Sequence, residues 1–70
     1  MNKNELQKTI DKIKDDTILK AKGLELILPY SPDDNRYYFQ RLDNWQVSQL
    51  FDSKEAAIIA LAYGGLLWKD

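Results

Sequence analysis

Eight consecutive residues, Ala56-Ala57-Ile58-Ile59-Ala60-Leu61-Ala62-Tyr63, carry no polar side-chain atom except the hydroxyl of Tyr63. Their alanine and leucine content favours a helix. A helix that is apolar all round has to be covered on more than one side. A chain of 70 residues holds little material beyond this helix to cover it with. Asp52, with Glu55 three residues on, reads as an N-cap in a capping-box arrangement, and Phe51 takes the staple position before it. At about 100° per residue, Ile59 and Tyr63 point one way with Ala56 and Ala60, while Ile58 and Leu61 point the other way with Ala57 and Ala62. One side is expected on a sheet, and the other on a second helix or on a partner. Gly64-Gly65 closes the helix. The Leu66-Leu67-Trp68 segment after it is too apolar for a loose tail. Leu66, Leu67, Trp68 and Tyr63 are therefore the candidate partner contact.

From the other end, residues 2–22 read as an amphipathic helix. Asn2 with Glu5, or Asn4 with Gln7, supplies the cap. Leu6, Ile10, Ile13 and Thr17 form one narrow stripe, Asp16 and Lys20 form an i,i+4 pair, and Gly23 is the left-handed stop. Such a stripe suits either the core or a second copy of the same helix. Leu24-Glu25-Leu26-Ile27-Leu28 alternates like a strand that Pro29 ends or places at an edge. Ser31-Pro32-Asp33 is turn chemistry. Arg36–Leu42 is a second strand by its aromatic content, and Asp43-Asn44 turns the chain into a third, Trp45–Phe51.

Two registers are open for that last hairpin. A two-residue turn pairs Phe39 with Ser48 and Tyr37 with Leu50. A three-residue turn with Asn44 in the left-handed region pairs Phe39 with Val47 and Arg41 with Trp45. The second gives one apolar face of Tyr37, Phe39, Trp45 and Val47, continued by Phe51. It is the expected one, since burial of one face sets register. The opposite face then holds Tyr38, Gln40, Leu42, Gln46, Ser48 and Leu50. The expected fold is α+β in the order α-β-β-β-α: a single domain over residues 1–70, with a three-stranded antiparallel sheet and two helices packed on one face.

Composition narrows the chemistry. With no Cys and no His, thiol nucleophiles, imidazole bases and the common zinc sets are excluded. Asp15-Asp16 reads as a solvated helix surface, and Asp33-Asp34 lies in a turn without the glycine and alternating oxygens of a calcium loop. Gly64-Gly65 follows a helix where a phosphate loop would precede one. The expectation is no enzyme, no metal and no cofactor. The absence of cysteine suits a reducing cytoplasm, nothing reads as a signal peptide, and the longest apolar run is far below the roughly 20 residues of a membrane span. The formal charge is −1, divided as +2 over residues 1–22 and −3 over residues 23–70. That exerts no overall pull towards nucleic acid or anionic membranes.

One cluster offers an alternative. Aromatics framed by arginines, as in Arg36-Tyr37-Tyr38-Phe39-Gln40-Arg41, can stack bases and hold phosphates. Arg36, Tyr38 and Arg41, helped by the N-terminal lysines, would be the nucleic-acid contact. Alternation, however, sends Tyr37 and Phe39 inward and puts Arg36 and Arg41 on opposite faces.

Two resemblances bear on this. The helix-strand-strand-strand-helix order is similar to that of double-stranded-RNA-binding domains, whose last helix opens with a Ser-Lys-Lys-x-Ala-Lys-x-x-Ala-Ala pattern that grips phosphates. Aligned from Ser53, this chain keeps Ser53, Lys54, Ala57 and Ala62. It has Glu55 and Ile58 where that family has lysines, and Leu61 for an alanine. Ser31-Pro32-Asp33-Asp34 stands in place of the family's Gly-Pro-x-His loop. The resemblance implies the family's packing without its phosphate contacts. The Trp45-x-Val47 strand leading through Phe51-Asp52-Ser53-Lys54-Glu55-Ala56-Ala57 also resembles small bacterial proteins, cyanobacterial ones among them. That likeness implies no activity. The functional expectation is a small module for protein–protein contact, with a second copy of the chain as one candidate partner.

Overall fold

The computed structural model describes residues 3–14 and 16–69. The Asn2 cap, the Leu6 side chain and Asp15 lie outside what is described. The fold is α+β: helix α1 (Lys3–Lys12), strands β1 (Leu19–Ala21), β2 (Leu24–Ile27), β3 (Tyr30–Ser31), β4 (Arg36–Tyr37), β5 (Gln40–Arg41) and β6 (Val47–Ser48), helix α2 (Lys54–Tyr63) and strand β7 (Trp68–Lys69). Instead of three strands there is a five-stranded antiparallel sheet in the order β1-β2-β5-β6-β7, with β3 and β4 forming a second pair.

The first helix is shorter than its apolar stripe suggests. The Thr17 Oγ1 accepts from the Lys14 N–H at 2.9 Å, and the Thr17 N–H donates to the Lys14 carbonyl at 3.0 Å. A side chain that satisfies the backbone in this way competes with the helical ladder. Residues 19–21 then pair with β2, Leu19 opposite Leu26 and Ala21 opposite Leu24. Gly23 is left-handed as expected, but together with Lys22: their φ values of 78° and 52° make a two-residue hairpin turn and not a helix stop.

β2–β3 and β4–β5 form one long hairpin with a break. Leu26 faces Arg41, Ile27 faces Gln40, Tyr30 faces Tyr37 and Ser31 faces Arg36, all in a single register. The break falls at Pro29, which has no N–H to give, although its carbonyl still accepts from the Tyr38 N–H at 3.2 Å.

The β5–β6 register is the two-residue alternative in its pairing, but not in its turn. Gln40 is opposite Val47. A four-residue loop, Leu42–Trp45, intervenes, and its left-handed residue is Trp45 (φ 63°), not Asn44. Further along, Tyr37 bridges Phe51. One residue, Tyr38, therefore stands opposite two, Gln49 and Leu50, which makes a bulge. The register that maximises an apolar face is overridden because Ser48, buried to 2% exposure, is satisfied at the bulge. Its hydroxyl accepts from the Phe39 N–H at 2.9 Å and donates to the Gln49 carbonyl at 2.9 Å.

The core is Ile13, Leu26, Leu28, Phe39, Phe51, Ala57 and Ile58, with Ile10, Leu61, Leu66 and Trp68 packed against it. Phe39 and Phe51 meet edge to face at 5.9 Å. Contributions from both helices to one cluster with the sheet place them on the same face. The N-cap of α2 is Ser53, whose Oγ accepts from the Ala56 N–H at 3.0 Å, and not Asp52. Asp52 instead pairs with Arg36 Nε at 3.0 Å. Gly64 (φ 76°) and Gly65 close the helix on the Ala60 carbonyl. Lys54, in the first turn of α2, donates to the Ile13 carbonyl at 2.9 Å and ties the end of α1 to α2.

Candidate interaction surface

Pleat alternation and register divide the sheet into two faces. Leu19, Leu24, Leu26, Phe39, Arg41, Ser48 and Trp68 share the face under the helices, because they are opposite one another or two residues apart. By the same rule Ile27, Tyr38, Gln40, Leu42 and Val47 share the other face. Each of these five is half-buried by its neighbours, and none belongs to the core cluster among the described residues. An open groove of about 340 Å³ lies on this side, lined by Ser31, Asp34, Tyr38, Val47, Leu50 and Lys69 and reached also by Ser48. Compared with the expected register, Ser48 and Gln46 have gone to the helix side and Val47 has come out. On the central hairpin a face that reads as half polar becomes apolar except for Gln40, while Lys20, Glu25 and Lys69 put charges on its flanking strands.

The candidate partner residues at the C-terminal end separate. Trp68 and Leu66 pack against the core. Trp68 stands opposite Ser48 in β7, and Arg41 lies 5.6 Å above its ring. Leu67 is 70% exposed and Tyr63 80% exposed. Gln49 holds this segment down. Its Nε2 donates to the Gly65 carbonyl at 2.7 Å, its Oε1 accepts from the Leu67 N–H at 2.8 Å, and its own N–H donates to the Leu67 carbonyl at 3.1 Å. Sequence reasoning missed Gln49, because a glutamine in a strand gives no signal of a partner sixteen residues away.

The candidate nucleic-acid residues are likewise not brought together. Arg41 lies on the helix side and makes a two-pronged contact with Asp43, Nε to Oδ1 at 2.9 Å and Nη2 to Oδ2 at 2.6 Å. These hydrogen bonds hold the Asp43 carboxyl below its ordinary pKa and raise that of Arg41. Arg36 faces Asp52, and Tyr38 lies on the open face. A second concavity, about 520 Å³ and wide open, lies at the start of α2 between Tyr30, Tyr37, Asp52 and Lys54. Among the described residues its one cation is Lys54, which already bonds the Ile13 carbonyl and sits 5.7 Å over the Tyr37 ring.

No described helix is long and apolar enough to cross a membrane. Comparison with known proteins finds no matching family model, no matching curated protein and no matching solved structure.

Proposed function

We propose that this chain is a binding module without catalytic chemistry of its own, and that it docks a protein surface on the open face of its five-stranded sheet. The observation that carries this reading is the register. It sets Val47 beside Tyr38, Leu42 and Ile27 on a side from which both helices are absent. Contiguous apolar surface on a small domain marks contact sites. Because Leu66 and Trp68 pack against the core, this reading takes the sheet and not the C-terminal tail as the contact; of that tail, Leu67 alternates onto the open side. A protein partner fits better than a nucleic acid, because Arg36 and Arg41 each face a carboxylate within the chain.

The test is site-specific photo-crosslinking in the cells that make the protein, with a photoreactive residue at position 38 and a control at the exposed Ile59 on α2. Discrete adducts from position 38 that vanish with Val47→Lys support the reading. Adducts identical from both positions overturn it.

A further inference from the structure

We infer that the cleft between the β1–β2 turn and the C-terminal end of α2 binds a small monocarboxylic acid whose apolar part is one aromatic ring or a branched chain of that size. The cleft holds about 140 Å³. Leu26, fully buried, forms its inner end. Leu24, Leu61, Leu66 and the Trp68 ring, all half-buried, make its walls. Lys22 and Gly64, both exposed, stand at its outer end. Leu24, Leu26 and Trp68 belong to the helix side of the sheet, so the cleft is separate from the open face. The inference therefore does not depend on the protein contact proposed above.

Size and charge together select the ligand. A cavity of about 150 Å³ with apolar walls is known to take up benzene, which limits the apolar part to about one ring. Lys22 supplies the one charge in the lining. A Cβ placed on Gly64 would come within 3.0 Å of the Lys22 Nζ, so the ammonium lies over the end of α2. The negative end of a helix dipole favours a cation there but offsets only about half a charge. The two ion pairs among the described residues are Arg36–Asp52 and Arg41–Asp43, and neither uses Lys22. Glu25, the acid nearest in sequence, points to the other face because it alternates with Leu24 and Leu26. A ring set among the leucines and Trp68 with a carboxylate on a short arm therefore gives the ammonium its counter-charge. An amine in that place is repelled, and a neutral analogue leaves Lys22 without a partner.

Titration of the whole chain at low salt, followed by amide and indole chemical shifts, tests the inference. Phenylacetate is the probe, and phenylacetamide, of the same shape without the charge, is its control. Phenylacetate is expected to give saturable shifts confined to Lys22, Leu24, Leu61, Gly64, Leu66 and the Trp68 indole, with a Kd on the order of a millimolar. The amide is expected to bind about fivefold more weakly, the effect of one exposed charge pair. Lys22→Asn is expected to remove that difference while keeping the turn, because asparagine accepts the left-handed φ of 52° at this position. Ala21→Leu fills the cleft from β1 and is expected to abolish the binding of both compounds. Absence of saturable shifts up to tens of millimolar overturns the inference, as does equal binding of acid and amide by the parent protein. A folded Ala21→Leu chain that binds like the parent also overturns it. Should Ala21→Leu fail to fold, the comparison of Lys22→Asn with the parent decides.

Discussion

Phe39 and Ser48 satisfy each other across the β5–β6 hairpin. The Phe39 N–H donates to Ser48 Oγ at 2.9 Å, and the Ser48 N–H donates to the Phe39 carbonyl at 2.9 Å. At the bulge that follows, the Ser48 hydroxyl stands in for the backbone carbonyl that a regular ladder would offer. That substitution lets a polar residue occupy a fully buried position. It also sends Val47 to the opposite side of the sheet.

Ser48→Ala removes the acceptor and leaves the Phe39 N–H unsatisfied in the core. An unpaired buried donor costs about 1–3 kcal/mol, a large share of the stability of a domain this small. Urea unfolding followed by circular dichroism is expected to show a loss in that range. A midpoint equal to that of the parent protein would mean that the hydroxyl does not hold the bulge.

Trp45 sits at the last position of the Leu42–Trp45 loop with φ 63° and is 65% exposed. The corresponding position of the Pro32–Asn35 loop is Asn35, φ 53°. Asparagine tolerates the left-handed region, whereas for most residues it costs about 1–2 kcal/mol. Trp45→Asn gives up little buried area and is expected to raise the urea midpoint by the equivalent of about 1 kcal/mol. Trp68 remains as the fluorescent reporter. A lower midpoint would show that the indole contributes packing that its exposure conceals.

The Arg41–Asp43 contact predicts a pH dependence of known sign. The hydrogen bond from Arg41 holds the folded-state pKa of Asp43 below its ordinary value. As pH falls, the unfolded chain therefore takes up this proton first. The stabilisation is complete above the unfolded carboxylate pKa of about 4 and disappears as pH drops through the lower folded value. Asp43→Asn is expected to flatten that part of the acid limb in urea midpoints recorded from pH 7 to pH 2.5. Because Asp43 is more than half exposed, the difference between the two proteins is expected to shrink in high salt. Parallel acid limbs would contradict the role of the contact.

Much of this fold is legible in the residues, and what escapes has physical causes. The apolar run of α2, its Gly64-Gly65 stop and the Leu24-Leu26-Leu28 alternation all depend on local pattern, and the structure contains them. β1 escapes because the stripe to Thr17, the i,i+4 spacing of Asp16 and Lys20 and the Gly23 stop read as one helix through Lys22, although Ile18 and Leu19 lie off that stripe. Only the reversal at Thr17 and the paired positive φ angles at Lys22-Gly23 show that the chain turns back. β7 escapes because two residues of strand owe their pairing to Gln49, a contact distant in sequence. The hairpin register escapes for a subtler reason. Counting apolar residues per face favours Val47 inside, and it cannot foresee a buried serine satisfied by a bulge. The candidate surface inherits that error: Tyr38 and Leu42 are on the open face in either register, but only the observed one adds Val47.

The most direct measurement compares the unfolding free energies of Val47→Lys and Ser48→Lys. With Val47 on the open face, a lysine there can lay its stem along the sheet and keep its ammonium in water, so Val47→Lys is expected to fold with a loss of about 1 kcal/mol or less. Ser48→Lys forces a charge into the core and is expected to lose more than about 3 kcal/mol or fail to fold. A folded Ser48→Lys beside an unfolded Val47→Lys would reverse the register and remove the open face on which the proposed interaction depends.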